Sequence, residues 1–588
     1  MRHARLASAR LVLEFGLRTL AEDPFWLALQ AARRAPLRTR LLLAGVLDHR
    51  PCPVALRALA AHLAGDDPRA ATLAARAADR GPGVLRRTAA EVAAAAGRPA
   101  TLLGPAAADD PATEAPRLRA QWSLGDVDAV RDARTLTRAG ARVRARALEQ
   151  VALLAPSPCP QPAPRPASVP GVVLHHLTAS LPRTRNGYTV RSHAILRAQT
   201  AAGLDVAAVT RSAYPVTVGV PLAPARDTVD GIHYHRLLPR SLPADHRARA
   251  ADAAEMLTDL AAGLGAEVVH STTPWGTGTA ARHAARTLGL RWVHEVRGLP
   301  EETWVASHPT AEARSAASRS ARYHLVRDKE TELAASADAV VTISGTLRDE
   351  LVARGVDAAR VVVVPNGVAE VAPDDVPTPR AARAALGLDP DRMLVGSVGS
   401  LVDYEGLETT LHAVAALRRS GLAVDALVVG DGVSRPALAR LAARLGLDAD
   451  AVLPGRVDAR TARTALAALD VVALPRRDDE VTRRVTPLKP VEAMAAGRPV
   501  VLSDLPASVE VATGKGGARA GLLVPPGDVA AWAASLGAVL TDPTLAGSLV
   551  DAGLAVARTR TWAAAARTYQ GVYGPGARTA ARTGTVVP

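Results

Sequence analysis

The segment from Val485 to Val501 combines the start of a helix, a lysine and a carboxylate within a few residues. It reads as a short helix with proline in its first turn, glycine just past its end and a buried strand after it. The amides of Leu488 and Lys489 at the helix start favour an anion such as a diphosphate, and Lys489 adds a full charge there. Glu492 lies one turn into the helix, where a carboxylate accepts hydrogen bonds from two neighbouring ribose hydroxyls. The alternative is that Glu492 is an ordinary solvent-facing residue.

The elements that must position this segment alternate between apolar strands and helices. Continuous apolar runs separated by helical segments are typical of parallel sheets covered on both faces, so the pattern predicts two doubly wound α/β lobes. The expected strands are Val172 to Leu177, Val206 to Thr210, Val268 to His270, Trp292 to Val296, Val340 to Ile343 and Val361 to Val364 in the first lobe, and Leu394 to Val398, Ala426 to Val429, Val471 to Leu474 and Val500 to Leu502 in the second. Ligands of such sheets bind beyond the carboxyl ends of the strands, so we expect the chemistry in the loops that follow these runs.

Over roughly residues 171 to 573 the chain resembles glycosyltransferase family 4, because short blocks occur in that family's order. The blocks are Asn186-Gly187-Tyr188, Val293-His294-Glu295-Val296-Arg297-Gly298, Val341-Thr342-Ile343-Ser344, Val364-Pro365-Asn366-Gly367-Val368, Val398-Gly399-Ser400, Tyr404-Glu405-Gly406-Leu407, Val429-Gly430-Asp431-Gly432, Pro454-Gly455-Arg456-Val457 and the helix with Glu492. The resemblance implies the GT-B fold, with two Rossmann-like lobes. It also implies a retaining, metal-independent, hexosyltransferase-type enzyme that needs no cofactor and uses a nucleotide diphosphate sugar, UDP- or GDP-linked.

The resemblance implies roles for individual residues as well. Glu492 would hold the donor ribose, and the backbone near Arg456 and Val457 would meet the base. Gly187 would let a loop of the first lobe approach the phosphates, which a side chain would block. The other expected donor-binding residues are Gly399, Ser400, Thr486, Leu488 and Lys489. A hydroxyl of an unknown glycan or lipid-linked acceptor would attack the anomeric carbon from the face that the diphosphate leaves, in cell-surface polysaccharide or glycoconjugate synthesis.

Three positions depart from the family's pattern. Ser400 and Glu405 stand where the family usually has phosphate-binding cations, and Arg484 replaces the first glutamate of a Glu-x7-Glu pair. We expect Arg476, which ends a strand beside the same crevice, and Lys489 to supply the missing charge and to stabilise the leaving phosphate. The motifs Glu-Val-Arg-Gly, Tyr-Glu-Gly-Leu and Thr-Pro-Leu-Lys-Pro favour a self-consistent subgroup of the family over random loss.

Arg297 occupies the place where many relatives carry a histidine on the acceptor side of the crevice. As a catalytic residue it would stabilise the leaving phosphate or recruit an anionic acceptor. The alternative is a structural arginine that ties a loop to a helix. His270 and His294 are interpreted as residues at the edge of the core rather than as acid-base groups.

The chain divides into four regions. Residues 1–155 are rich in Ala, Leu and Arg and predict stacked helix pairs, either a tetratricopeptide-like solenoid or a plain helical bundle. Alternate prolines in residues 156–170 predict an extended linker. Residues 171–375 are expected to form the first lobe, on the acceptor side. Residues 376–588 are expected to form the nucleotide-sugar lobe, whose final helix, Trp562 to Tyr573, crosses back onto the first lobe.

The net charge of +14 at pH 7 fits nucleic acid, an anionic membrane surface or an anionic substrate equally well. Lysine occurs only at Lys329, Lys489 and Lys515, and the abundance of arginine and alanine is typical of a bias in the nucleotide composition of a genome. Aromatic residues make up 3% of the chain and offer few platforms for stacked bases, which disfavours a nucleic-acid partner.

Cysteine content and apolar runs predict a cytoplasmic protein. Cys52 and Cys159 give no disulfide framework. No apolar run approaches the roughly 18 residues that span a bilayer, and charges interrupt the stretch that would form a signal peptide. The first fifty residues contain nine arginines against four acidic residues, so peripheral contact with the inner membrane face is a hypothesis. A protein partner of the helical region is another.

Two other functions stay open. Loss of the usual cations permits a catalytically degenerate GT-B scaffold that serves the helical region as a binding protein, and failure to bind any nucleotide sugar would favour it. The same fold also permits an enzyme that releases a sugar phosphate or epimerises a sugar, since fold does not fix function. Reaction with water alone, or isomerisation without an acceptor, would favour that one.

Overall fold

The computed structural model describes residues 2–22, 24–49, 51–77, 81–96, 110–157, 163–164, 171–220, 222–243, 245–370, 376–448, 452–514 and 517–574. They form a helical front region followed by two α/β lobes, each with a sheet that is wholly or mostly parallel. The neighbouring residues Val173 and Leu174 of the first sheet belong to different apolar cores, so both faces of that sheet are covered. The predicted fold class is confirmed.

The front region is built from short helices with an alanine-rich core. Its helices are Arg2–Glu22 (α1), Pro24–Arg34 (α2), Leu37–Leu47 (α3), Val54–Leu63 (α4), Asp67–Ala77 (α5), Gly83–Ala95 (α6), Glu114–Ser123 (α7), Val127–Asp132 (α8) and Arg138–Leu154 (α9). Small side chains such as Ala58 and Ala70 let α4 pack closely on both α5 and α6. The region also touches the second lobe, where Arg440 donates a hydrogen bond of 3.1 Å to the Gly65 carbonyl. A tetratricopeptide-like repeat stays a prediction.

The predicted proline-rich linker is described only in part. Residues 158–162, which include Cys159, and residues 165–170 lie outside the described residues. The chain just before them is fixed on the first lobe, because the buried ammonium of Lys329 donates a hydrogen bond of 3.0 Å to the Ala155 carbonyl. The front region is therefore anchored at its carboxyl end.

The first lobe contains an eight-stranded sheet in the order β3-β4-β2-β1-β5-β6-β7-β8. Its strands are Val172–Leu177 (β1), Val206–Thr210 (β2), Arg226–Val229 (β3), Ile232–Arg236 (β4), Ala266–Thr272 (β5), Arg291–Val296 (β6), Ala339–Thr342 (β7) and Val361–Val363 (β8). Its helices are Gly187–Ala201 (α10), His246–Gly263 (α11), Trp275–Leu288 (α12), Pro300–Ala306 (α13), Ala311–Ser318 (α14), Ala321–Ser336 (α15) and Gly345–Ala353 (α16). All strand pairs are parallel except β3 with β4.

The antiparallel pair β3–β4 was missing from the sequence prediction. Its turn is Asp230-Gly231, where both residues have positive φ, +48° and +80°. Asp-Gly is the dipeptide that two-residue hairpin turns favour, so the signal was present in the sequence. Ile232–Arg236 alternates between buried and more exposed positions, so it lacks the continuous apolar run from which the other strands were predicted.

The second lobe contains a parallel five-stranded sheet in the order β10-β9-β11-β12-β13. Its strands are Met393–Val398 (β9), Val424–Val429 (β10), Val471–Leu474 (β11), Val500–Ser503 (β12) and Leu522–Val524 (β13), the last of which the sequence prediction missed. Its helices are Pro379–Ala385 (α17), Leu407–Arg419 (α18), Arg435–Arg444 (α19), Ala459–Ala468 (α20), Glu480–Arg484 (α21), Lys489–Ala495 (α22), Pro506–Ala512 (α23), Val529–Thr541 (α24) and Pro543–Thr559 (α25). Residues 371–375, at the predicted lobe boundary, lie outside the described residues.

The predicted final helix is Trp562–Tyr573 (α26), and it does return to the first lobe. The Tyr569 hydroxyl donates a hydrogen bond of 2.9 Å to Glu295 Oε1, and the Tyr573 hydroxyl lies 2.7 Å from His270 Nδ1. Residues 575–588 lie outside the described residues. Within the described residues, no single helix is long and apolar enough to cross a membrane; α24 and α25 reach that length only as a joined pair with a 94° bend.

Each sheet reverses its direction of strand addition at one point. In the first lobe β1 lies between β2 and β5, and in the second lobe β9 lies between β10 and β11. In open parallel sheets, crevices for ligands form at the carboxyl ends of strands at such points. A ligand site is thus expected at the ends of β1 and β9.

Candidate active site

A cavity of about 210 Å³ lies where the carboxyl ends of β9 and β10 face the start of α10. It is lined by Arg185, Asn186 and Gly187 from the first lobe and by Val398, Gly399, Ser400, Val429, Gly430, Asp431, Arg456, Val457 and Ala462 from the second. The predicted donor-binding residues Gly187, Gly399, Ser400, Arg456 and Val457 therefore meet at one cavity between the lobes.

A larger and shallower cavity, of about 700 Å³, lies between the start of α16 and α23. Its lining includes the carboxylates Asp349, Asp504 and Glu510 and none of the predicted site residues. Negative charge there would repel a diphosphate. We therefore assign the candidate site to the smaller cavity.

The start of α10 is held at the smaller cavity by its cap. The Asn186 side chain accepts a hydrogen bond of 3.0 Å from Thr189 N, and the Thr189 hydroxyl accepts one of 3.0 Å from Asn186 N. This reciprocal cap fixes the entry of the chain into the helix. A methyl group on Gly187 would meet no atom within 4 Å, so folding does not require glycine at this position.

The backbones at the ends of β9 and β10 approach too closely for any side chain. A Cβ on Gly430 would lie 1.8 Å from the Gly399 carbonyl oxygen. A Cβ on Gly399 would lie 2.3 Å from Lys489 Cε. The lysine side chain thus crosses the backbone at the end of β9, and glycine leaves the room for it.

Lys489 and Arg476 both lie close to Glu405. From the sequence alone, Glu405 was interpreted only as the loss of a cation. Glu405 Oε2 lies 2.8 Å from Lys489 Nζ, and Glu405 Oε1 lies 3.7 Å from Arg476 Nε. Burial would raise the pKa of Glu405, but the charges of Lys489 and Arg476 outweigh it and hold the pKa below its usual value. Arg476 is buried and also donates a hydrogen bond of 2.8 Å to the Val485 carbonyl. The carboxylate therefore holds two cations beside the cavity.

The helix that carries Glu492 begins and ends as predicted, with Pro490 in its first turn and Gly497 just beyond it at φ +63°. It has only 7 residues, so its dipole is a minor source of positive charge. Arg185 and Arg456 line the cavity, and Lys489 lies beside Gly399 of its lining. Burial raises the pKa of Glu492, which the Lys489 charge only partly offsets. Glu492 is partly buried, which favours a role in the site over that of an ordinary solvent-facing residue.

Residues 485–488, here called the donor loop, connect α21 to α22. Leu488 begins the helix, and its carbonyl accepts a hydrogen bond of 3.2 Å from Val491 N. The Thr486 carbonyl accepts a hydrogen bond of 3.1 Å from Asn366 Nδ2. Thr486 is buried, and its hydroxyl has no hydrogen-bond partner among the residues that the structure describes. Thr486 and Leu488 thus shape the loop next to the predicted cations.

The contacts of Arg297 favour the structural role that the sequence left as an alternative. Its guanidinium lies 2.6 Å from Glu295 Oε2 and donates a hydrogen bond of 2.6 Å to Ser192 Oγ. Arg297 is 4% exposed, which leaves little surface for an anionic acceptor. Since Ser192 belongs to α10, the arginine ties the end of β6 to that helix. A catalytic role for Arg297 therefore finds no support in this geometry.

Two residues near the site were missed by the sequence analysis. Asn366 occurs in the Pro365-Asn366-Gly367 block, just after β8, where the chain passes from the first lobe to the second. No role was assigned to it from the sequence alone. Glu405 was treated as an absence of charge. Only contacts between distant segments reveal either role, because a single sequence does not show which side chains meet.

Two regions of the chain match known protein families. Residues 186–367 match the family described as Glycosyl transferase 4-like domain, and residues 392–542 match the family described as Glycosyl transferases group 1. The first match covers most of the first lobe and the second covers most of the second lobe. The helical front region lies outside both matches.

Curated relatives carry transferase names. The D-inositol 3-phosphate glycosyltransferase of Stackebrandtia nassauensis is 30% identical over 324 residues, which are 52% of this chain and 68% of that relative. The enzyme of the same name from Nocardia farcinica is 34% identical over 224 residues, 36% of this chain and 47% of the relative. The 2-deoxystreptamine glucosyltransferase of Streptomyces kanamyceticus is 32% identical over 192 residues, 32% of this chain and 47% of the relative. The chain spans about half the length of the last two.

Solved structures share the two-lobed fold at low sequence identity. Sucrose-phosphate synthase from Thermosynechococcus elongatus superposes with a TM-score of 0.54 at 21% identity, covering 68% of this chain and 98% of that one. Anabaena HepE in complex with UDP-glucose gives a TM-score of 0.51 at 16% identity, with the same coverage of 68% and 98%. These structures show the GT-B fold. The matches to both lobes and the 30% identity over 68% of the Stackebrandtia nassauensis enzyme show that the chain belongs to the group 1, GT4-like family of glycosyl transferases.

Proposed function

We propose that this protein is a retaining, metal-independent glycosyltransferase that moves a hexose from a nucleotide diphosphate donor, UDP- or GDP-linked, to a hydroxyl acceptor. One observation carries the proposal: in the cavity between the lobes, Gly187 of the first lobe faces Gly399 of the second, and Lys489 crosses Gly399. Glycine backbones beside a lysine ammonium suit a diphosphate, because they allow close approach and supply positive charge.

In the proposed mechanism the acceptor hydroxyl attacks the anomeric carbon from the face that the diphosphate leaves. Lys489 and Arg476 stabilise the charge that develops on the leaving diphosphate, and a cation fixed in advance stabilises it without reorganisation. Glu492 accepts hydrogen bonds from the donor ribose, while Arg456 and Val457 meet the base. Closure of the lobes excludes water from the donor.

The three motifs of the proposed subgroup include two that meet in space. Glu405 of Tyr-Glu-Gly-Leu and Lys489 of Thr-Pro-Leu-Lys-Pro form an ion pair. A charge lost at one position alone would leave its partner uncompensated in a poorly hydrated site. This pairing supports the proposal that Lys489 and Arg476 replace the cations usual in the family at the positions of Ser400 and Glu405. It therefore supports an active enzyme.

The acceptor is proposed to be a glycan or lipid-linked hydroxyl in the synthesis of a cell-surface polysaccharide or glycoconjugate. The relatives named D-inositol 3-phosphate glycosyltransferase and 2-deoxystreptamine glucosyltransferase support transfer to a small polyhydroxylated acceptor as a first assay. The HepE complex with UDP-glucose makes UDP the first nucleotide to test. We place the reaction in the cytoplasm or at the inner membrane face, with the helical region free to contact the membrane or a protein partner.

The test is nucleotide-dependent thermal stabilisation of the full chain, with and without EDTA. UDP, GDP, ADP and their common sugar conjugates are compared on the wild type, on Glu492→Ala and on Asp551→Ala, an exposed carboxylate on α25 that serves as control. We expect one nucleotide to raise the Tm of the wild type and of the control, and to lose its effect on Glu492→Ala. The anomeric configuration of the product, measured by NMR, then tests retention.

Two outcomes would contradict the proposal. If no nucleotide or nucleotide sugar shifts the Tm, the scaffold alternative replaces the transferase. If a sugar nucleotide binds but is consumed only by water, or is isomerised without an acceptor, the protein is a hydrolase or an epimerase on the same fold.

A further inference from the structure

The donor loop is held by groups of the first lobe and of the passage between the lobes, although it belongs to the second lobe. Two contacts hold it. Asn366 contacts Thr486 within the loop, and Glu350 contacts Arg484, the residue just before the loop. Between them, the Val485 carbonyl accepts its hydrogen bond from Arg476 of the second lobe. Arg484 and Thr486 thus contact the first lobe, while Val485 between them is held by its own lobe.

The first contact starts from the passage between the lobes. Asn366 is 4% exposed, and its Nδ2 donates to the Thr486 carbonyl at 3.1 Å. Its Oδ1 accepts a hydrogen bond of 2.9 Å from Arg191, which also donates one of 2.9 Å to Glu295 Oε1. Since both Arg191 and Glu295 are buried in the first lobe, the amide of Asn366 has one fixed orientation. The Nδ2 group of Asn366 therefore points at the Thr486 carbonyl of the donor loop.

The second contact uses the position that departs most from the family's pattern. Arg484 Nε lies 2.8 Å from Glu350 Oε2, and Arg484 Nη1 lies 3.6 Å from Glu302 Oε1. Nη1 also pairs with Glu480 of its own helix α21. Glu350 belongs to α16 and Glu302 to α13, both in the first lobe. The guanidinium therefore reaches across to the other lobe, and a glutamate at this position would be repelled by both carboxylates.

We propose that Asn366 and Arg484 are positioning residues that tie the donor loop to the first lobe, so that Lys489 and Glu492 take their places only while the lobes are together. The contacts leave the reacting atoms untouched and act through the loop. Separation of the lobes breaks both contacts at once, which releases the loop and with it the charged groups that follow. The role of the loop in donor binding rests on the proposed function, whereas the tie itself does not.

The first measurement is hydrogen–deuterium exchange of the full chain without ligand. Arg484→Met removes the ion pairs with Glu350 and Glu302 of the first lobe, together with the pair to Glu480 of its own helix. Asn366→Asp leaves the contacts of Arg484 intact and replaces the donor to the Thr486 carbonyl with an oxygen of the same size that repels it. Arg483→Met is the matched control, because Arg483 is the neighbouring arginine of α21 and pairs with Asp478 of its own lobe. We expect exchange of residues 485–492 to rise at least about fivefold in the two variants, and to stay unchanged in the control.

The second measurement separates positioning from general stability. We expect both variants to lower kcat and to weaken nucleoside diphosphate binding by about tenfold, with partial rescue by Arg484→Lys, which keeps the charge. Unchanged exchange in the donor loop overturns the inference, whether or not a nucleotide binds. A rise in exchange over both sheets as well as the loop also overturns it, since the contacts would then support the fold in general. If the wild type binds no nucleotide, the proposed function fails, while the exchange result still decides the tie.

Discussion

The Glu405 carboxylate lies 2.8 Å from the Lys489 ammonium, so an acidic residue that departs from the family's pattern pairs with the lysine that we propose to bind the donor phosphates. Two positive groups near each other in a poorly hydrated crevice repel, and a carboxylate between them reduces that repulsion. The pair enters the site from different elements, Glu405 from the end of a short 3₁₀ turn and Lys489 from the start of α22. In the proposed function, a diphosphate would meet a cation that this carboxylate already holds in place.

The first prediction concerns that pair. Lys489→Met should weaken nucleoside diphosphate binding by about tenfold or more, because a charge-assisted hydrogen bond is lost. The control is Arg477→Met, since Arg477 follows the same strand as Arg476 but pairs with Glu408. Isothermal titration calorimetry measures the Kd of the nucleoside diphosphate for both variants. Equal affinity in Lys489→Met and Arg477→Met would remove Lys489 from the site.

The second prediction concerns the pH dependence of stability at Glu405. The pKa of Glu405 is held below its ordinary value of 4.5, so its contribution to stability is present above that value and is lost as the pH falls through the lowered pKa. Glu405→Gln should therefore destabilise the protein by about 2–4 kcal/mol at neutral pH, and by progressively less below pH ~4.5. Urea unfolding from pH 3.5 to 7.5 measures the difference. A difference that is constant over this range would exclude an ionised pair.

The third prediction concerns Glu492, whose pKa is raised by burial. Its carboxylate should lose its charge at a higher pH than an ordinary glutamate, so nucleotide affinity should fall as the pH drops through the raised pKa. Glu492→Gln should weaken binding about 10- to 100-fold at neutral pH, with little dependence on pH. It should also leave the Tm of the free protein equal or higher, because a desolvated charge is removed. A lower Tm with unchanged affinity would make Glu492 a structural residue.

The fourth prediction separates the two roles considered for Arg297. Because its guanidinium is buried against Glu295, Arg297→Met should cost about 2–4 kcal/mol of unfolding free energy by leaving a buried charge less well paired. The activity of the fraction that remains folded should fall only modestly. Denaturant titration and kcat, both on the same preparation, provide the test. A loss of kcat beyond about 100-fold with normal stability would restore the catalytic role.

The fifth prediction uses the open space at Gly187. Gly187→Ala should keep the Tm, because the added methyl group meets no atom within 4 Å, yet it should lower nucleotide affinity by about tenfold by entering the cavity. Gly547→Ala in α25, where a methyl group also meets nothing within 4 Å, is the matched control and should leave affinity unchanged. Unaltered affinity in Gly187→Ala would mean that the ligand does not approach this loop.

Much of the fold could be predicted from local patterns. The buried run Val471–Leu474 and the helix Trp562–Tyr573 fall on the predicted residues, because continuous apolar runs mark parallel strands and helical periodicity marks helices. The hairpin at Asp230-Gly231 shows the limit of that approach, since its strands alternate in burial and its turn chemistry was not weighed. Strand order in the sheets required the structure as well.

The candidate site divides in the same way. The sequence by itself determined which residue types are available, because glycines, a lysine and a glutamate near strand and helix ends are local features of the chain. Only the tertiary structure decided which side chains contact each other: Glu405 pairs with Lys489, Arg297 pairs with Glu295, and Arg484 pairs with Glu350 of the other lobe. The physical reason is that a charge acts through its neighbours and its exposure to water, and folding brings those neighbours from segments far apart in the chain.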